Sequence, residues 1–228
     1  MAKLFVYYRI SDIPAYKEKK KPVYVNNEIC LLNFIQNFRP ESLYIIADSV
    51  SGQTRESLNK IRKQYSFDLE HVQNKSGSKT FAYAFTLALK NNDEDIVYFV
   101  EDDFLHLSHS KELLLEAFSE TNAEYVTLYD HPDKYINHKE GGPNPFVKQG
   151  GEPTRVIKTS STHWKMTNST TLTFAARVRT LREDQKEWRK CASFKVANDF
   201  LTFIRLNKSR FFYRPFRNKR ILIHPIPG

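Results

Sequence analysis

The stretch IVYFVEDD at residues 96–103 constrains this chain more than any other. Ile96–Val100 is an unbroken run of branched and aromatic residues, the pattern of a buried strand. It delivers Glu101, Asp102 and Asp103 to its tip. Three neighbouring carboxylates at the end of a buried strand are costly unless a cation pairs with them. A divalent ion such as Mg²⁺ or Mn²⁺ suits oxygen ligands, and such sites combine one or two protein carboxylates with substrate phosphates. The pattern points to a metal and a phosphate at this tip. The plainer alternative is a solvated acidic turn that caps the next helix.

Strand and helix patterns alternate on the way to that tip. Lys3–Ile10 (KLFVYYRI) and Leu43–Ala47 (LYIIA, followed by Asp48) read as strands, and Asp68–Gln73 as a short third one. Between them, Asn26–Phe38 and Thr54–Tyr65 carry apolar residues at helical spacing, the first stopped by Pro40. Ser76-Gly77-Ser78 punctuates the chain before an apolar helix at Lys79–Asn91, and beyond the acidic tip come a helix at Ser110–Phe118 and a strand at Tyr125–Tyr129. This alternation predicts an α/β fold with a mainly parallel central sheet flanked by helices. Ligands of such sheets sit beyond the carboxyl ends of the strands.

The second half reads differently. Residues 130–153 are rich in Gly, Pro and Asn and predict a long irregular region. Thr154–Lys158 and Thr171–Ala175 are expected to pair as a small β-ribbon, with helices at Ala176–Trp188 and Asn198–Leu206. A length of 228 residues suits one domain with a real core, and 40% hydrophobic residues exclude a disordered or collagenous chain. Two cysteines are too few for a disulfide framework or a cysteine zinc site. With no apolar run of roughly 18 residues and no signal-peptide pattern, a cytoplasmic protein is expected. The net charge of +9 is unevenly placed: residues 1–176 sum to −1 and residues 177–228 to +10.

The order of elements and the acidic tip resemble a nucleotide-sugar glycosyltransferase of the GT-A fold. VEDD is similar to a variant of that superfamily's DXD motif, YIIADSVSGQT to the second-strand segment of family-2-like enzymes, and KSGSKTFAYAF to their glycine-containing turn before an Ala-rich helix. The resemblance implies a nucleotide-sugar-binding half at 1–106 and an acceptor-binding half at 107–228. It implies that Asp103 is the ligand of Mn²⁺ or Mg²⁺, with Glu101 and Asp102 against ribose, donor sugar or metal-bound water. Asp48 would contact base or ribose, and Tyr7, Tyr8 and Arg9 would wall the nucleotide pocket. Lys79 stands where it can reach a phosphate or simply begin a helix.

Enzymes of this fold that invert configuration use a carboxylate beyond the acidic motif to deprotonate the acceptor hydroxyl. Asp199, in VANDF, resembles that base. Asp184, among Arg182, Lys186 and Arg189, reads as a salt-bridged exposed residue. Asp130 and His131 after YVTLY, with Trp164 and Asn168 in the Ser/Thr-rich STHWKMTNST, are the candidates for an acceptor site. His224 is a further candidate, because several GT-A families bring a late histidine onto the metal. The implied partners are a nucleoside-diphosphate sugar and a glycan or lipid-linked acceptor, with peripheral membrane contact through the basic C-terminal segment. Two other classes are a nucleotidyltransferase, and a nucleic-acid-binding protein stacking bases on Phe211, Phe212 or Tyr213.

Overall fold

The computed structural model describes residues 2–13, 22, 25–142, 144–145, 147, 151–152, 154–208 and 220–226. Four strands form the parallel part of one sheet: β1 (Leu4–Ser11), β2 (Ser42–Asp48), β3 (Asp68–Val72) and β4 (Ile96–Glu101). Three helices link them: α1 (Asn27–Phe38), α2 (Gly52–Arg62) and α3 (Gly77–Ala88). Each begins at a side-chain cap, from Asn26, Ser51 and Ser76 in turn. Arg39 ends α1 in the left-handed conformation (φ 49°), directly before Pro40.

After β4 come α4 (Ser110–Glu120), β5 (Tyr125–Val126), β6 (Val156–Lys158), β7 (His163–Thr167) and β8 (Phe174–Arg177). They are followed by α5 (Val178–Glu183), α6 (Gln185–Ala192), α7 (Asp199–Lys208) and β9 (Leu222–Ile226). The nine strands lie in the order β3-β2-β1-β4-β8-β5-β9-β7-β6. The α/β expectation is met, with two corrections in the second half. First, the ribbon is β6 with β7, whereas Phe174–Arg177 enters the sheet antiparallel between β4 and β5. Second, the helix expected over Ala176–Trp188 is broken at Asp184, which ends α5 and precedes α6. The last strand, β9, is inserted between β5 and β7.

Strand parity sorts the core into two layers. Val6, Tyr8, Ile45, Tyr98 and Val100 face the layer of Phe34 and Phe38 on α1. Tyr7, Ile46, Val97 and Phe99 face Phe81 and Phe85 on α3, Trp188 on α6 and Phe203 on α7. Continuing the parity past the apolar runs puts Arg9 and Glu101 on the α3–α6–α7 side, opposite one another in the β1–β4 register. Burial of the two strands thus sets the position of two charged residues at their tips.

Candidate active site

A cleft of about 2000 Å³ opens at the carboxyl ends of β1, β2 and β4. That is larger than the roughly 300–1,000 Å³ of a single-ligand pocket and leaves room for two substrates. Arg9, Asp48, Lys79, Glu101, Asp102, Asp103 and Asp199 all line it, so the fold brings together seven of the residues singled out in the sequence.

Tyr7 and Tyr8 are not among them. Both point into the two core layers, 7% and 0% exposed, because β1 runs three residues beyond Tyr8 before it reaches the cleft. The tip of β1 is Arg9–Ser11. There Arg9 Nη2 lies 3.4 Å from Glu101 Oε1 and donates to Leu172 O, while its guanidinium sits 5.3 Å from the Phe81 ring centroid. The backbone N–H of Ser11 donates to Asp102 Oδ2 at 2.8 Å, which fixes the acidic turn against β1.

Asp48 has a different role from the one expected. It is 1% exposed, and both oxygens are taken by the protein. Oδ1 accepts from Ser49 Oγ and Lys75 N, and Oδ2 from Ser76 N and Thr80 Oγ1. A carboxylate offers about four acceptor positions, so these bonds leave none for a base or ribose. Asp48 instead clamps the turn that starts α3, where Lys75 adopts φ 52°. Burial alone would raise its carboxyl, but the hydrogen bonds hold it below the usual carboxylate range. Asp48→Asn places an NH₂ group against N–H and O–H donors. Urea unfolding is expected to show a loss of about 2–3 kcal/mol.

Asp103 is exposed at the cleft, and Glu101 and Asp102 are half-buried behind it. Burial pushes the Glu101 carboxyl up, Arg9 opposes the shift, and the charge of Asp103 adds to it. Asp199, the first residue of α7, is pushed up to about 6 by burial and then by the charge of Glu101. Crowded carboxylates that raise one another's proton affinity are what a cation would relieve. Among the described residues no group of three or more His, Cys, Asp and Glu is placed to hold a metal ion. An exposed carboxylate in a polar cleft nevertheless fits a hard cation that takes its other oxygens from phosphate and water.

The expected acceptor residues are not on the cleft wall. Trp164 is fully buried and donates its indole N–H to Thr159 Oγ1 at 3.0 Å, because β7 lies inside the sheet and turns alternate residues into the core. Asn168 bonds Asn144 and Asn207, linking loop to helix. Asp130 accepts from the Tyr135 hydroxyl and lies 3.3 Å from Nε2 of His224, which is fully buried on β9. Burial, and then the charge of Lys134, pushes the His224 imidazole down to about 3, so it stays neutral and faces Asp130. His131 Nδ1 accepts from the backbone N–H of Asp133 and lies 2.8 Å from Asp133 Oδ1.

Asp184 is also corrected: it is fully buried, and its partner is Arg220. Phe211, Phe212 and Tyr213 lie outside the described residues, as does all of 209–219 in the basic C-terminal segment. Sequence reasoning missed the loop between α6 and α7, where Phe194, Lys195 and Val196 line the cleft. An exposed Phe-Lys-Val just before Asp199 was the available signal.

No protein-family model matches this chain, and no curated protein matches it. Solved structures do. S. aureus TarS 1–349 aligns over 97% of this chain and 60% of its own, with 14% identity and a TM-score of 0.54. The same fragment in complex with UDP-GlcNAc gives a TM-score of 0.55 at 12% identity, over 97% of this chain and 58% of that one. GalNAc-T7 with UDP, GalNAc and Mn²⁺ gives 0.60 at 11% identity, over 98% of this chain and 42% of that one. The chain has a GT-A-type fold. It spans less than two-thirds of each of these structures. The likeness is one of backbone, spread over nearly the whole of this chain.

Proposed function

We propose that this protein is a glycosyltransferase that moves a sugar from a nucleoside-diphosphate sugar to an acceptor hydroxyl, with a divalent metal and inversion of configuration. The observation that carries the reading is the meeting of Asp103 and Asp199 in one cleft, the second with a carboxyl tuned to about 6. A base near neutrality is matched to taking a hydroxyl proton at physiological pH. Asp103 would hold Mn²⁺ or Mg²⁺, which supplies charge stabilisation to the departing diphosphate. Ser11 holds Asp102 in place, Arg9 keeps Glu101 oriented, and Asp199 accepts the acceptor's proton. A single displacement assisted by one base inverts the anomeric carbon.

The UDP ligands of TarS and GalNAc-T7 make UDP the first probe. Calorimetry is expected to show UDP binding that requires Mn²⁺, weakened about tenfold or more in Asp103→Asn. Binding indifferent to Mn²⁺, or unchanged in the variant, would overturn the metal assignment. Release of nucleoside diphosphate, as opposed to pyrophosphate, separates this activity from nucleotidyl transfer.

A further inference from the structure

Beyond Asp103 the surface turns aromatic. β5 runs antiparallel to β8, which runs antiparallel to β4, so β5 ends at the same edge of the sheet as the acidic tip. Phe104 directly follows Asp103, and its ring meets the ring of Tyr129, just past β5, edge-on at 4.9 Å. Tyr129 is half-buried, and its hydroxyl bonds none of the described residues. Burial, and then the charges of Asp103, Asp133 and Asp130, push that hydroxyl up. Tyr135 stands further out, 46% exposed. Its hydroxyl donates to Asp130 and accepts from Lys165 Nζ at 3.1 Å, and the same ammonium lies 4.3 Å from its ring centroid. Lys165 is itself buried, so the Tyr135 ring is backed by the protein and its hydroxyl is anchored. A tyrosine held at both points loses little freedom when a ligand packs on it.

Neither ring lines the cleft; together they carry its surface on past Asp103, on the side away from β2 and β3. Charge narrows the class of ligand that fits there. The cleft lining holds seven carboxylates against four cations. Asp130 and Asp133 add two more carboxylates beside the rings, whereas Lys134 and Lys165 are buried. A phosphate or carboxylate ligand is repelled by such a surface, while sugar hydroxyls donate to it. We infer that Tyr129 and Tyr135 form the platform for an uncharged glycan, whose pyranose rings stack on the tyrosines while its hydroxyls donate to carboxylates at the mouth of the cleft. Presentation of one hydroxyl to Asp199 rests on the glycosyltransferase reading; the binding of a glycan does not.

Saturation-transfer NMR with maltose, lactose and chitobiose, without donor or metal, tests the platform. At least one of these neutral disaccharides is expected to bind, and its 1-phosphate to bind about tenfold more weakly. Tyr129→Ala and Tyr135→Ala are each expected to weaken disaccharide binding about tenfold. Tyr135→Phe keeps the stacking face and should bind within about twofold of the parent. A tyrosine serving only to anchor Asp130 and Lys165 would lose its effect in that variant, so lost binding in Tyr135→Phe overturns the platform. If Tyr135→Ala fails to fold in thermal unfolding, Tyr129→Ala and Tyr135→Phe carry the test. Absence of transfer to all of the disaccharides overturns the proposal, as do folded alanine variants that bind unchanged, or a phosphate that binds as tightly as its parent sugar. Glycan binding that persists while Mn²⁺-dependent UDP binding is absent supports the platform and counts against the enzymatic reading alone.

Discussion

Asp184→Ala is expected to lower the thermal unfolding midpoint by about 6–20 °C. This follows from a cost of about 3–5 kcal/mol for stranding a buried charge and about 2–4 °C per kcal/mol in a domain of this size. Asp184 is fully buried, and Arg220 grips it from two sides, Nε to Oδ2 at 2.8 Å and Nη2 to Oδ1 at 3.2 Å. The Tyr125 hydroxyl also donates to Oδ2, and it accepts in turn from the Trp188 indole. Arg220 reaches Glu183 and Glu124 as well, while Glu124 accepts from the backbone of Ile221. The group ties α5, α6 and β5 to the start of β9. Removing Asp184 leaves the buried Arg220 with only Glu183 and Glu124, at the edge of the group, whereas removing both partners removes most of the penalty. Asp184→Leu/Arg220→Met is therefore expected to cost less than the two single changes added together. A loss below about 1 kcal/mol in Asp184→Ala would show that the pair does not hold β9.

The largest catalytic effect is expected from Asp199→Asn, a fall in kcat of about 10³-fold with UDP binding unchanged. An amide keeps the shape at the start of α7 and cannot take a proton. A residue in the proposed role of general base works ionised. Its carboxyl is held at about 6, so kcat/KM should fall tenfold per pH unit below that value and be level above it. A cation at Asp103 favours the ionised form and moves this limb to lower pH, never to higher. Equal losses of UDP affinity and turnover in Asp199→Asn would assign the residue to binding the nucleotide. A pH profile unchanged in the variant would remove it from proton transfer altogether.

The first four strands and three helices were legible because each carries its own period and its own stop. The acidic tip of β4 was legible for the same reason, an apolar run ending in charge. Tyr7 and Tyr8 were misplaced because where a strand ends depends on its neighbours, and β1 continues to Ser11 alongside β2 and β4. Asp48 looks the same in sequence whether it faces a ligand or the next turn's amides. Asp184 looked exposed from its charged neighbours, since the partner that buries it is 36 residues away. Trp164 was misread for a related cause. A Ser/Thr-rich segment with one tryptophan suggests a sugar site, but here the hydroxyls satisfy one another and the sheet interior, as Thr170 does with Thr127.

The position of β9 bears on how the chain is made. Val126 pairs with Ile223 in the finished sheet, and β7 pairs with the other side of the same strand. Roughly 100 residues separate the two ends of the β5–β9 ladder, so at ordinary rates of synthesis about 5–20 s pass between their emergence from the ribosome. During that interval β5 and β7 each present an unpaired edge. The parallel half around β1–β4 can be complete before then. Chaperones that shield strand edges should engage the nascent chain from the emergence of β5 until β9 has emerged, and a ribosome slowed in that interval should lower the soluble yield.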